Sequence, residues 1–224
     1  MVMVDWHEVR RRVRDLAASP LAAKVFGYHG HGFQLDPVLR PDELAELEQQ
    51  IKVRLPDDYR DFLLHVGRGG AGPFYGVFPV ERIDGRWQWV GDGADLTDLD
   101  RLDRPFPAEG LDPTVLEALR AEEPDEETFE DIESFDTAYE EWDRRYEAVV
   151  WNDARTVGAL CLCHQGCALR EWLVVSGPER GNIWTDHRVD DEDLSPHREG
   201  DLERTSFATW YLSWLKAAEA EVRS

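Results

Sequence analysis

Cys161, Cys163, His164 and Cys167 fall within seven residues of one another, and thiolate sulfur with imidazole nitrogen is a good zinc donor set. The spacing is poor for that chemistry. A structural zinc site takes two well-separated pairs of ligands, and this chain offers one group. On a strand, Cys161 and Cys163 share a face while His164 turns away. The same alternation separates Cys163 from His164 as a thiol and its base, and leaves Cys167 with some distant His as the remaining option. His29 and His31, with Asp36, form a second candidate ligand set, on a loop marked by Gly27, Gly30 and Gly32. Gly67, Gly69, Gly70 and Gly72 follow a helical pattern instead of opening one, and no Lys-Ser/Thr pair comes after them, so the phosphate cradle is missing. No serine elbow and no HExxH pair occur. None of these groups has, by spacing alone, the arrangement that a catalytic or cofactor-binding site requires. A zinc site on the Cys161–Cys167 cluster is the lesser alternative.

Charge is the strongest signal. The 224 residues carry 25 Lys and Arg against 47 Asp and Glu, a formal net charge of −22. Such a surface repels nucleic acid and anionic membranes, and favours a basic protein partner. Half of the excess lies in residues 121–147, with thirteen acids against Arg144 and Arg145. Phe129, Ile132, Phe135, Tyr139, Trp142 and Tyr146 run through this segment at helical steps. The pattern predicts a helix with one docked face and the others anionic. Glu126, Glu127, Glu130, Asp131, Glu133 and Asp136 are its candidate partner-binding residues.

The elements that would position these groups can be placed. Trp6, Val9, Val13 and Leu16 predict a first amphipathic helix. A second opens at Pro41 with Asp42 and Glu43 in its first turn, and a third at Pro56 with Tyr59, Phe62, Leu63 and Val66 on its apolar face. Gly67 is the expected stop. Phe74–Phe78, Arg86–Val90, Val149–Trp151, Val157–Cys163, Trp172–Ser176 and Asn182–Thr185 are strand candidates, the last two antiparallel across a Gly-Pro turn. Phe207, Trp210, Tyr211, Trp214 and Leu215 mark a closing helix whose aromatic stripe belongs to the core. Apolar residues are 42% of the chain, enough for a core. No 18-residue apolar run is present, the N-terminal residues do not resemble a signal peptide, and three cysteines do not make a disulfide framework. A cytoplasmic location is expected.

With these residues in view, LPDDYRDFLLHVGRGGAGPFYGVFPVE (55–81) resembles the SUKH superfamily, the family of the yeast Smi/Knr-type cell-wall synthesis regulator and of many bacterial immunity proteins. Leu55, Pro56, Tyr59, Phe62, Leu63, Gly69, Gly70, Tyr75, Gly76 and Pro79 match its pattern. Gly158, Gly166 and Cys167 precede EWLVVSGPERGNIWTD (171–186), where Gly177, Gly181, Trp184 and Asp186 sit in family positions, and FATWYLSWL (207–215) resembles the closing helix. The resemblance implies an α+β fold, a mixed but mainly antiparallel sheet packed with helices. It implies one SUKH-like domain over residues 1–224, with the acidic helical segment at about 121–147 as an insertion. It also implies a non-catalytic protein-binding role. The preferred form is an immunity protein that neutralises a polymorphic toxin domain, such as a nuclease, through its acidic surface. A regulatory scaffold is the alternative. Arg68, Phe74 and Tyr75, at the glycine-rich loop, join the acidic residues as the expected partner contacts.

Overall fold

The computed structural model describes residues 4–223. Helix α1 (Trp6–Ala17) starts where the Asp5 carboxylate accepts the backbone N–H groups of His7 and Glu8, and it buries Trp6, Val9, Val13 and Leu16. A single turn, α2 (Tyr28–His31), lies between two left-handed glycines, where a loop was expected around the histidines. Helix α3 (Pro41–Ile51) begins at its proline. There the Arg40 N–H donates to Glu43 Oε2 at 2.8 Å, and Leu44, Leu47 and Ile51 face inward. Helix α4 (Asp57–His65) buries Tyr59, Phe62 and Leu63. Helix α7 (Phe207–Glu221), capped by Ser206, packs on α1 and α4. Its Phe207 meets Tyr59 at 4.9 Å and Phe62 at 5.2 Å between ring centroids, mostly edge to face.

Strands β1 (Val80–Ile83) and β2 (Arg86–Trp89) form a hairpin. Strands β3 (Ala159–Gly166), β4 (Leu169–Val174), β5 (Ile183–Asp186) and β6 (Ser195–Pro196) form a second sheet in that order, antiparallel throughout. Leu160 pairs with Leu173 and Trp172 with Trp184, and all four are buried. The protein is an α+β fold with antiparallel sheets packed against helices. Among the described residues no helix is long and apolar enough to cross a membrane.

Three sequence expectations need correction. Phe74–Phe78 is not a strand. The Gly76 N–H closes a turn on the Pro73 carbonyl, Phe74 and Gly76 have positive φ, and Val77 alone bridges, to Gly70. A ladder cannot run through two left-handed residues. Val149 and Val150 are the last turn of a helix and Trp151 is its C-cap, because Val150 continues the Trp142, Tyr146 stripe one turn further. The acidic segment is not one helix. Helix α5 (Pro113–Ala121) starts earlier, a 3₁₀ turn covers Glu126–Thr128, and α6 (Ile132–Val150) starts only at its Asp131 cap. Pro124 and two capping aspartates, Asp125 and Asp131, break the helix between them.

Helices α5 and α6 form a hairpin with its own small apolar cluster of Trp142, Tyr146 and Val150 against Leu111, Leu116 and Leu119, apart from the main core. The stripe docks only at its C-terminal half, since Ile132 and Tyr139 are exposed. Trp142 Nε1 donates to the Leu119 carbonyl at 2.7 Å and the Tyr146 hydroxyl to Asp191 at 2.8 Å. The accessible surface is 12342 Å², above the roughly 10,000 Å² expected for a compact chain of this mass. Trp142→Ala should therefore cost the hairpin about 3 kcal/mol. Hydrogen exchange should speed up across 113–150 while β3–β5 keep their protection; equal loss in both regions would show that the hairpin is not an independent unit.

Candidate protein-binding surface

The glycine-rich loop after α4 raises an aromatic crest. Phe74 takes a φ of 55°, a left-handed conformation that costs a bulky side chain about 1–2 kcal/mol and is found where structure or function demands it. Gly27, at φ 82°, makes this possible: a Cβ there would lie 1.7 Å from the Phe74 carbonyl oxygen. Tyr75 stands 41% exposed and stacks on His164 at 4.7 Å, with ring planes 10° apart. Phe26, 58% exposed, meets Tyr75 edge-on at 5.4 Å. Beneath the crest His31 is buried, and its Nδ1 accepts the Phe33 N–H at 3.0 Å. That bond places the ring proton on Nε2, and burial lowers the His31 pKa to about 4.

Clefts flank the crest. One, of about 320 Å³, runs between Phe74 and the α7 residues Trp210 and Trp214. A second, of about 480 Å³, lies between Phe74 and β6. On its floor the Glu171 carboxylate is fully buried and accepts Gln165 Nε2 at 2.7 Å and the Thr185 hydroxyl at 3.2 Å, and it meets His197 Nδ1 at 3.1 Å. Burial raises the Glu171 pKa, against the pull of His197. For His197 burial works the other way, and the Glu171 carboxylate overcomes it and holds the imidazole above its ordinary value.

The expected contacts occupy three different settings. Phe74 and Tyr75 form the crest. Arg68 does not join them: it is half-buried, pairs with Glu81 at 3.3 Å and gives its backbone N–H to the Pro37 carbonyl. Glu126, Glu127, Glu130, Asp131, Glu133 and Asp136 are all exposed on the hairpin, and none forms an ion pair among the described residues. Asp131 has a structural duty besides, since it accepts the Ser134 N–H at 2.8 Å, which lowers its pKa.

The metal-ligand candidates do not converge. Cys161 and Cys163 are fully buried on either side of a bulge, and burial pushes both thiols up. Cys167 is exposed in the β3–β4 turn, and His164 lies flat on Tyr75. His29 is exposed while His31 is inside. Among the described residues no three His, Cys, Asp or Glu side chains are grouped to hold a metal ion. Sequence reasoning had His164 only as a candidate metal ligand and missed Phe26 and the α7 cleft; with Phe74 and Tyr75 these come from four distant parts of the chain.

An antiparallel α+β scaffold that exposes aromatics at one place and unpaired carboxylates at another has the surface chemistry of a protein-binding module. Residues 39–196 match the SMI1 / KNR4 family (SUKH-1), more than half of the chain, and the chain belongs to that family. Members are generally non-catalytic and their membership implies a protein partner. No curated protein and no solved structure matches the chain significantly.

Two outcomes test the crest. Gly27→Ala should cost ~2–5 kcal/mol, the sum of a left-handed alanine and a backbone clash, and should lower the melting temperature accordingly. His31 supplies a pH dependence. The unfolded chain binds the His31 proton near the ordinary 6.5, the folded chain only near 4, so stability is intact above 6.5 and is lost as pH falls through that window. The loss should reach about 3 kcal/mol. Subtracting the denaturation curves of His31→Asn isolates it, and a pH-independent difference would contradict the assignment.

Proposed function

We propose that this chain is a cytoplasmic immunity-type protein that binds a toxin domain through a basic face of that domain, as nuclease domains present, and neutralises it by occupying that face. The observation that carries this reading is the α5–α6 hairpin. Its segment holds half of the chain's net negative charge, and its six candidate carboxylates stand exposed and, among the described residues, unspent on ion pairs. A dense, uncompensated anionic surface imitates a run of phosphates and steers a basic partner from a distance. Family membership supports a protein partner and an immunity-type role, and the family also contains regulators of the Smi/Knr kind.

Tagged protein recovered from its host at low and high salt, with partners identified by mass spectrometry, should yield a basic toxin-like domain retained mainly at low salt. Reversing Glu126, Glu127, Glu130 and Glu133 to Lys should then slow association with that purified domain by about tenfold or more at low salt, with a smaller change in dissociation. Asp131 is left out because its loss also uncaps α6. An unchanged association rate would remove the hairpin from the interface. A non-basic housekeeping partner would replace the immunity reading with the regulatory scaffold.

A further inference from the structure

The cleft between the crest and α7 is built differently from the hairpin. Val25, Phe26, Pro73, Phe74, Trp210 and Trp214 form its walls, and Ala217 and Ala218 keep its floor low. Its volume of about 320 Å³ admits one large apolar side chain with the backbone that carries it. Among the described residues no Lys or Arg lines it; its acidic lining is Glu199 and Glu221, at the open rim, and His197, also in the lining, lies 3.9 Å from Glu199. The apolar surface continues outward onto Phe26 and Tyr75, two exposed aromatic rings in contact. Adjacent exposed aromatics bordering a concave apolar site are the usual composition of an interface hot spot. The strained φ of Phe74 sits at its edge.

The position of the cleft relative to the family match is informative. Pro73 and Phe74 lie inside the matched residues 39–196; the rest of the lining comes from Val25, Phe26 and residues 197–221, outside them. Trp210 and Trp214 fall in the segment that resembles the family's closing helix, whereas Val25, Phe26, His197, Glu199 and the residues after 215 lie outside both, so partner choice can vary there without touching the shared pattern.

The geometry points to this cleft as a short-range anchor site for an extended or helical segment of the protein partner, in which one large apolar side chain enters the groove and a flanking Lys or Arg pairs with the Glu199 rim. The inference rests on the chain being a protein-binding module, and not on the partner being a toxin. It divides the work between two surfaces. The hairpin acts at long range through charge and governs association, and the groove acts by contact and governs residence.

The test uses the purified full chain as bait for a displayed library of random peptides about a dozen residues long. Enriched peptides should carry an aliphatic or aromatic residue next to Lys or Arg. Ala217 is exposed and lines the groove, so Ala217→Trp fills the cleft from outside and should weaken the selected peptides by about tenfold or more. Phe26→Ser, also at an exposed position, should weaken them similarly, and Glu199→Lys should do so most at low salt. Melting temperature and circular dichroism confirm that each variant is folded. The hairpin reversal at Glu126, Glu127, Glu130 and Glu133 should leave peptide affinity within about twofold. No enrichment over a bait-free control, an acidic consensus, or peptides that bind Ala217→Trp as tightly as the wild-type chain would overturn the proposal. Because the peptides are selected without any toxin, the groove can stand while the immunity reading falls, and the reverse result is equally readable.

Discussion

The Tyr211 hydroxyl donates to the carbonyl of Ala71 at 2.7 Å, fully buried, and through that bond the helical core positions the glycine-rich loop. Tyr211 belongs to the same aromatic junction as Phe62, at 5.0 Å, and Phe207, at 6.0 Å. Burial raises the phenol's pKa, so the group stays a neutral donor. The loop answers from its other side, where the Ala71 N–H donates to Gln34 and Gly70 exchanges two bonds with Val77. An unmade buried bond here would cost about 1–3 kcal/mol, comparable to the strain stored at Phe74. The crest can hold an unfavourable φ because the framework on both sides of it is over-determined.

Much of this framework could be read from residue spacing. The stripes of Trp6–Leu16, Leu44–Ile51, Tyr59–Leu63 and Phe207–Leu215 have one consistent period and one apolar face each, and each is a helix. The pattern misled where backbone conformation overrode composition. Phe-Tyr-Gly-Val-Phe has the residue types of a strand, but Phe74 and Gly76 turn left-handed because the chain must fold back onto Gly27 and Gly70. Aromatics at helical steps across 129–146 concealed a break, since periodicity counts side chains and does not weigh the proline at 124 or the caps at 125 and 131. Of the candidate surface, the carboxylates were visible as composition, Tyr75 as part of a family pattern, and Phe74 as its neighbour at the glycine-rich loop. Phe26, His164 and Trp214 were not, because contact between residues that far apart in sequence is a property of the fold alone.

The excess negative charge is not evenly spread in its consequences. In the body of the protein, which carries the other half of the net charge, the best-buried acids are matched: Arg12 with Glu219, Arg60 with Glu48, Arg155 with Asp193, and a buried Arg188 with Asp186. The last pair is fully engaged, the guanidinium also reaching the Val150 carbonyl and lying over Trp151, so it ties the end of α6 to β5. Beyond that tie, Arg145 with Glu122 is the one cross-hairpin pair among the described residues, and it is exposed, where such pairs contribute little.

Placing half of the net charge in an element with its own small core has a physical rationale. Like charges in the main body would raise its self-repulsion and subtract from a net stability of only about 5–15 kcal/mol. Hung on Trp142, Tyr146 and Val150, the repulsion acts mainly on a local opening equilibrium, leaving the shared core near its own stability. The crest has no such independence, since Gly27, Ala71 and Tyr211 bind it into the core. Charge on the hairpin is therefore free to change with little consequence for folding, whereas change at the crest is confined to side chains that point outward, Phe26 and Tyr75 among them. A protein that must track a changing partner can vary its long-range attraction freely, and its contact specificity only through those few positions.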